Sequence, residues 1–367
     1  MRPFRIVRIL GVDVVGDASL VALGLLLSWV IYLELSLPDI AVSGTTAFLG
    51  ALVGGVIFLA TVLAHEVSHT AVAQQRGLEV RRIRLMIFGG ASELQEEAAS
   101  PATEAAVAIV GPLTSALIGA GLVALAGQLG GVAEGVLRFV GLANLALAVF
   151  NILPGMPLDG GRVLRALLWQ LTGDRDKATR LALQSGRLFG LGLIGVGAYL
   201  ALRSNTGAIG IWVAFVGWFM TRMAASSARS HRLELATRNK TVGDVMRSVT
   251  EAVAGSGTVA EAVDLHQIGP RLRTLVVEVG GRVVGLLGHS EVEAIPEEQR
   301  VATQVGAAMT RIGPADVLDI ETGLSEALQS EAGATRHIVV TEQGRVVGII
   351  GGPEIALLFD RDEADPD

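Results

Sequence analysis

The stretch TTAFLGALVGGVIFLATVLAHEVSH, residues 45–69, decides how the chain is read. Twenty uncharged residues, Thr45 to Ala64, run directly into His65, Glu66 and His69. A run this long and apolar can cross a bilayer as a helix. On a helix, positions i and i+4 share a face, so His65 and His69 can turn ring nitrogens toward one metal ion while Glu66 stands beside them. Ionisable side chains at bilayer depth are costly and mark function. In water such a set would suggest a zinc hydrolase; in lipid it suggests hydrolytic chemistry within the membrane.

Composition agrees with membrane residence. Of 367 residues, 51% are apolar, and the mean hydropathy is +0.54, too high for an ordinary soluble enzyme. The absence of cysteine excludes disulfides and thiolate ligands, leaving imidazole and carboxylate to hold any metal. The net charge of −7 and the scattered basic residues give no support to nucleic-acid binding. Arg2, Arg5 and Arg8 ahead of the apolar run Ala18 to Leu33 could imitate a signal peptide, but Trp29, Tyr32 and Glu34 suit the interfacial end of a retained helix.

Apolar runs predict six spans, near 18–36, 45–73, 104–127, 135–153, 181–202 and 207–225. With the N-terminus inside, the inner segments collect groups such as Arg2, Arg5 and Arg8, or Arg76, Arg81, Arg82 and Arg84, while the outer loops hold only Arg203. That asymmetry predicts a cytosolic N-terminus. The second and fourth spans then run in parallel, and His65 and His69 lie ~10–16 Å below the cytosolic end of their helix.

The fourth span ends in Asn151-Ile152-Leu153-Pro154-Gly155-Met156-Pro157-Leu158-Asp159-Gly160-Gly161-Arg162. Its prolines and glycines cannot continue a helix, so backbone must unwind at the depth of the histidines. Asp159 is therefore either a third metal ligand or the N-cap of a helix over 160–171. Between spans two and three, Arg82, Arg84 and Met86 alternate with Ile83, Leu85 and Ile87, and Phe88-Gly89-Gly90 breaks the alternation, which predicts a short hairpin over 82–94. Its edge could receive an unwound substrate strand, or the hairpin could only pack on the helix bundle.

These motifs resemble the site-2 proteases, intramembrane zinc metalloproteases that cut substrates within or near a transmembrane helix. The resemblance rests on His65-Glu66-x-x-His69, Phe88-Gly89-Gly90, Gly111-Pro112 and Asn151-x-x-Pro154-x-x-Pro157-Leu158-Asp159-Gly160-Gly161-Arg162, and covers about the first 225 residues. It implies one Zn²⁺ held by His65, His69 and Asp159, with Glu66 as catalytic acid/base and Asn151 steadying the substrate carbonyl. It places Phe88, Gly89 and Gly90 at the substrate and the active site near the cytosolic face of a prokaryotic cell membrane. The implied substrate is a single-span membrane protein such as an anti-sigma factor or another membrane-tethered regulator. The chain departs from many relatives at Gly16-Asp17-Ala18.

After Lys240 the sequence turns to short β-rich runs and repeats itself. Val242-Gly243-x-x-Met246 recurs as Val305-Gly306-x-x-Met309, and Gly281-Arg282-Val283-Val284-Gly285 recurs as Gly344-Arg345-Val346-Val347-Gly348, both at an offset of 63. The repeat resembles tandem CBS modules, giving a protease domain over 1–228, a linker over 229–240, modules over 241–300 and 301–360, and an acidic tail over 361–367. CBS modules commonly associate, which implies a homodimer, and can bind adenine nucleotide. The ribose-binding positions here are Gly288 and Glu291, and Gly351 and Glu354, without a hydroxyl donor in either module. The expected fold is thus a polytopic α-helical membrane protein with a C-terminal α/β CBS pair. The alternative function, a CBS-regulated ion channel or transporter, would spread polar residues along several spans, whereas here they gather at one site.

Overall fold

The computed structural model describes residues 4–36, 43–86, 89–94, 98–203, 207–249, 252–266, 274–280, 282–330, 337–351 and 354–355. The chain divides into two compact units, Met1–Ala228 and Arg229–Asp367.

The first unit opens with β1 (Phe4–Ile9) and β2 (Val12–Gly16), followed by α1 (Ala18–Leu35), α2 (Gly44–Gln75), β3 (Val80–Met86), β4 (Gly89–Leu94), α3 (Pro101–Ala126), α4 (Gly131–Asn151), the short α5 (Asp159–Thr172), α6 (Arg175–Ala201) and α7 (Gly207–Thr237). All but α5 among these helices are long and apolar enough to cross a membrane, so the six expected spans are present. Four of the six starts carry side-chain caps. Asp17 accepts from the Ser19 amide, Ser43 from Thr46, Ser100 from Thr103 and Asp174 from Lys177, each satisfying an amide that the helix cannot. Asp17, within the unusual Gly16-Asp17-Ala18, is thus a helix cap. Most of the large exposed apolar side chains, among them Leu25, Val56, Leu117, Leu188 and Trp212, lie on the spans, as lipid contact requires.

Two features differ from the sequence expectation. Residues 4–16 are not merely a basic segment before the first span: β1 and β2 form an antiparallel hairpin, and β2 pairs in parallel with β3, giving sheet order β1-β2-β3-β4. Val12 and Val14 alternate inward to pack with Ile83, Leu85, Leu20 and Val62, so the sheet is bound to α1 and α2 by a shared apolar core. Five residues are too short a run for periodicity to separate from chance. The second difference is α7, which continues through residues expected to link the domains and stops only at Thr237. Residues 223–237 hold neither Gly nor Pro and include four Ala, two Arg and two Leu, so nothing local ends the helix at the membrane boundary.

The second unit holds α8 (Val242–Val245), β5 (Arg247–Ser248), β6 (Ala252–Ala254), α9 (Val259–His266), β7 (Leu275–Val279), β8 (Arg282–Leu287) and α10 (His289–Glu293). The pattern then recurs as α11 (Val305–Ala308), β9 (Thr310–Arg311), β10 (Val317–Asp319), α12 (Leu324–Gln329), β11 (His337–Glu342) and β12 (Arg345–Gly351). This is the tandem CBS pair expected from the repeat. The sheets are ordered β6-β7-β8-β9 and β10-β11-β12-β5, so each takes an edge strand from the other repeat. Val276, Leu286, Val339 and Ile349, two pairs at the repeat offset, form a core common to both sheets.

Candidate metal centre

The site is assembled on α2, α3 and the turn between α4 and α5. His65 and His69 project from one face of α2 and are 4% and 5% exposed, with Glu66, also buried, next to them. The chain leaves α4 at Asn151, unwinds over residues 152–158 and re-enters a helix at Asp159. The N-cap of α5 is Leu158, and Asp159 is the first helical residue. Its carboxylate therefore does not cap the helix. Oδ2 lies 3.3 Å from His65 Nε2 and 3.4 Å from His69 Nε2, and the two Nε2 atoms are 3.2 Å apart.

Those spacings suit a metal. Tetrahedral zinc with bonds of about 2.0–2.1 Å needs ligand atoms about 3.3 Å apart. The tautomers suit it too. His69 Nδ1 donates to the Val107 carbonyl at 2.6 Å, which can only accept, so Nε2 of the neutral ring keeps its lone pair for the site. His65 Nδ1 pairs with Ser115 Oγ at 2.9 Å. Two lone pairs and a carboxylate oxygen so close together repel unless a cation or proton lies among them. Among the described residues, His65, His69 and Asp159 are the one group with metal-ligand convergence.

Close approach makes this possible. A Cβ at Gly111 of α3 would lie 2.5 Å from His69 Cε1 and 2.7 Å from His65 Nε2, so only glycine lets α3 reach both rings. The loop before Asp159 is held in the same way by α6. Met156 N–H donates to Ala182 O, Ser185 Oγ donates to Pro154 O at 2.9 Å, and a Cβ at Gly155 would meet Gly186 Cα at 2.6 Å.

Glu66 lies within charge–charge range of His65, His69, Asp159 and Arg162. Asn151 is the half-buried last residue of α4. Gly89 and Gly90 open β4, opposite Met86 and Leu85, at one edge of the four-stranded sheet; Phe88 lies outside the described residues. Sequence reasoning missed Ser115 and Val107. Ser115, four residues after Gly111 on an apolar helix, is a signal that could have been read; a backbone carbonyl leaves no trace in sequence.

In the CBS pair, the positions compared with ribose-binding residues are already engaged. Glu291 Oε2 accepts from the Gly288 amide and Ser290 Oγ, each at 3.0 Å, and Oε1 accepts from Thr310 Oγ1 at 2.9 Å. Glu354 accepts from the Gly351 amide at 2.8 Å and faces Arg247 Nε at 3.3 Å.

Six membrane-length apolar helices and a buried His-His-Asp cluster are the marks of a multi-pass membrane metalloprotein. The profile of peptidase family M50 matches residues 53–134 and 128–193. Over 315 residues the chain is 31% identical to Synechocystis sp. sll0528, described as a zinc metalloprotease, with 84% of this chain and 83% of that protein covered. Mycobacterium tuberculosis Rip3, carrying the same description, is 32% identical over 320 residues, covering 84% of this chain and 80% of the relative. The solved site-2 protease of Methanocaldococcus jannaschii aligns with 61% of this chain and 94% of its own at 23% identity and a TM-score of 0.45. The chain belongs to peptidase family M50, the site-2 proteases, and is a zinc metallopeptidase.

Proposed function

We propose that the protein hydrolyses a peptide bond within or near the transmembrane segment of a single-span membrane protein, using His65, His69 and Asp159 to hold its zinc. The observation that carries the reading is the convergence of these ligand atoms at 3.2–3.4 Å inside a membrane-spanning bundle. When bound, zinc supplies a Lewis acid that activates water and polarises the scissile carbonyl.

The chain's residues supply the rest. Ser115 and the Val107 carbonyl fix the rings with Nε2 toward the metal. Glu66 takes the proton of the attacking water and later delivers it to the leaving amine. The Asn151 amide donates a hydrogen bond to the oxygen on which charge develops. A helical substrate must unwind to expose its carbonyl, and the outer edge of β4 offers backbone groups to the extended strand. The positive-inside pattern supports a site near the cytosolic face of the cell membrane, with the CBS pair in the cytosol.

We read the CBS pair as a regulatory and dimerising element acting without nucleotide, because Glu291 and Glu354 are committed to their own helix starts. A membrane-tethered regulator of transcription is the substrate class this architecture suits. The test compares cleavage of a single-span model protein by wild type, Glu66→Gln and Asp159→Ala in detergent, with zinc measured on the same samples. Wild type alone should cleave, Glu66→Gln should keep zinc, and Asp159→Ala should bind it weakly. Zinc-free wild type, or cleavage by Glu66→Gln, would sink the proposal.

A further inference from the structure

Glu104, in the first turn of α3, is completely buried. Its Oε1 accepts from Arg165 Nε of α5 at 2.5 Å and from Arg165 Nη2, while its Oε2 has no hydrogen-bond partner. Burying a carboxylate is costly even when paired, and a hydrophobic pair of similar volume would often serve stability as well. Stability alone is thus a weak reason for this ion pair to be here.

Its place on α3 gives a better one. Glu104, Val107, Gly111 and Ser115 follow a three-four-four spacing, which puts them on one face of the helix. Val107 holds His69, Gly111 admits both rings, and Ser115 holds His65. Glu104 grips α5 six residues after Asp159, about 9 Å along its axis. One face of α3 therefore touches both histidines and the helix that begins with Asp159.

We propose that Glu104 and Arg165 are positioning residues that set the placement of Asp159 relative to the two histidines, and so the affinity for zinc. The proposal rests on the reading of Asp159 as a zinc ligand. Asp159 follows an unwound segment, so its place depends on what fixes α5. One anchor is the docking of residues 154–156 on α6, and the ion pair is a second.

The test is zinc affinity of the purified full-length protein by competition with a chromogenic chelator, below the melting temperature of every variant. Glu104→Gln and Arg165→Met should weaken zinc binding by roughly 10-fold, the lower end of what losing a direct partner of a metal ligand costs, because neither residue bonds a ligand itself. The exchange Glu104→Arg with Arg165→Glu should recover most of it. Arg165→Lys keeps the charge but not the paired donors, and should show a smaller loss if the other variants do not fold. Gly217→Ala, where the added Cβ would lie 2.5 Å from Gly190 O between α6 and α7, should lower the melting temperature without changing zinc affinity. Wild-type affinity in Glu104→Gln and Arg165→Lys, with Asp159→Ala impaired, would overturn the positioning role alone. Zinc loss in Gly217→Ala equal to that in the pair variants would also overturn it, by marking the loss as a general result of lower stability. Unimpaired zinc in Asp159→Ala would instead remove the ligand assignment beneath it.

Discussion

Gly111→Ala should separate zinc binding from folding. Ordinary carbon contacts begin near 3.4 Å, whereas the new methyl would lie 2.5 Å from His69 Cε1 and 2.7 Å from His65 Nε2. The approach to His69 Nε2 is closer still, so the rings or α3 must yield by more than about 0.9 Å, several times the ~0.2 Å that metal–ligand distances tolerate. The rings cannot simply swing aside, because each is tethered through Nδ1 to α3 itself. If zinc sites are worth about 10–16 kcal/mol over four ligands, misplacing one loses about 2.5–4 kcal/mol, or roughly 10²–10³-fold in affinity. Overpacking should cost only about 1–3 kcal/mol of stability. Gly121→Ala is the control on the same helix, since nothing lies within 4 Å of its added Cβ. The assay is chelator competition alongside a detergent melt. Gly111→Ala with wild-type zinc affinity would show that α3 gives way freely, and would refute the argument that glycine is required for the histidines to converge.

Ser115→Ala removes the Nδ1 partner of His65, and should weaken zinc by roughly 10–100-fold, measured by the same competition. Asn144 is buried in α4 and donates to Thr61 Oγ1 of α2 at 2.9 Å; Asn144→Ala should lower stability in micelles by about 1 kcal/mol, seen as a shifted unfolding curve. The CBS pair should loosen in acid. Hydrogen bonds from the Thr241 and Thr258 amides hold Asp244 and Glu261 below the usual carboxylate range; burial pushes Glu291 up, but donors from Thr310, its own backbone, Ser290 and Gly288 outweigh it. Carboxyls lowered on folding contribute stability above their unfolded pKa and lose it as pH falls, so amide exchange in α8 to α10 should accelerate below about pH 5. Glu291→Gln should reduce that pH dependence; an unchanged profile would count against the caps as its source.

The spans and the metal cluster were legible because both are written in side chains. Long uncharged runs have one physical reading in lipid, and His65 and His69 needed only helical spacing. Asp159 was half legible: the broken helix before it showed unwound backbone, but a carboxylate at a helix start serves equally as cap or ligand until its direction is known. The β1-β2 hairpin was hidden because its pairing with β3 joins residues 13–16 to residues 82–85, a contact that no local pattern encodes. The same holds for Glu104. As a charge in the first turn of a helix it reads as an ordinary exposed acid beside the helix dipole, and only the fold shows that Arg165, sixty-one residues later, closes over it.

The exchange of edge strands between the CBS sheets bears on how this unit can be divided. β5 of the first repeat completes the second sheet on β12, and β9 of the second completes the first on β8. A solitary repeat would leave its sheet one strand short and half of the shared core open to water. Its simplest remedy is a second copy of itself. The fused pair carries inside one polypeptide the geometry of a symmetric dimer, with residues 294–304 acting as a covalent tie between halves that already hold each other. Cutting that tie at the exposed Glu297–Gln299 segment should leave two fragments that stay together through native purification.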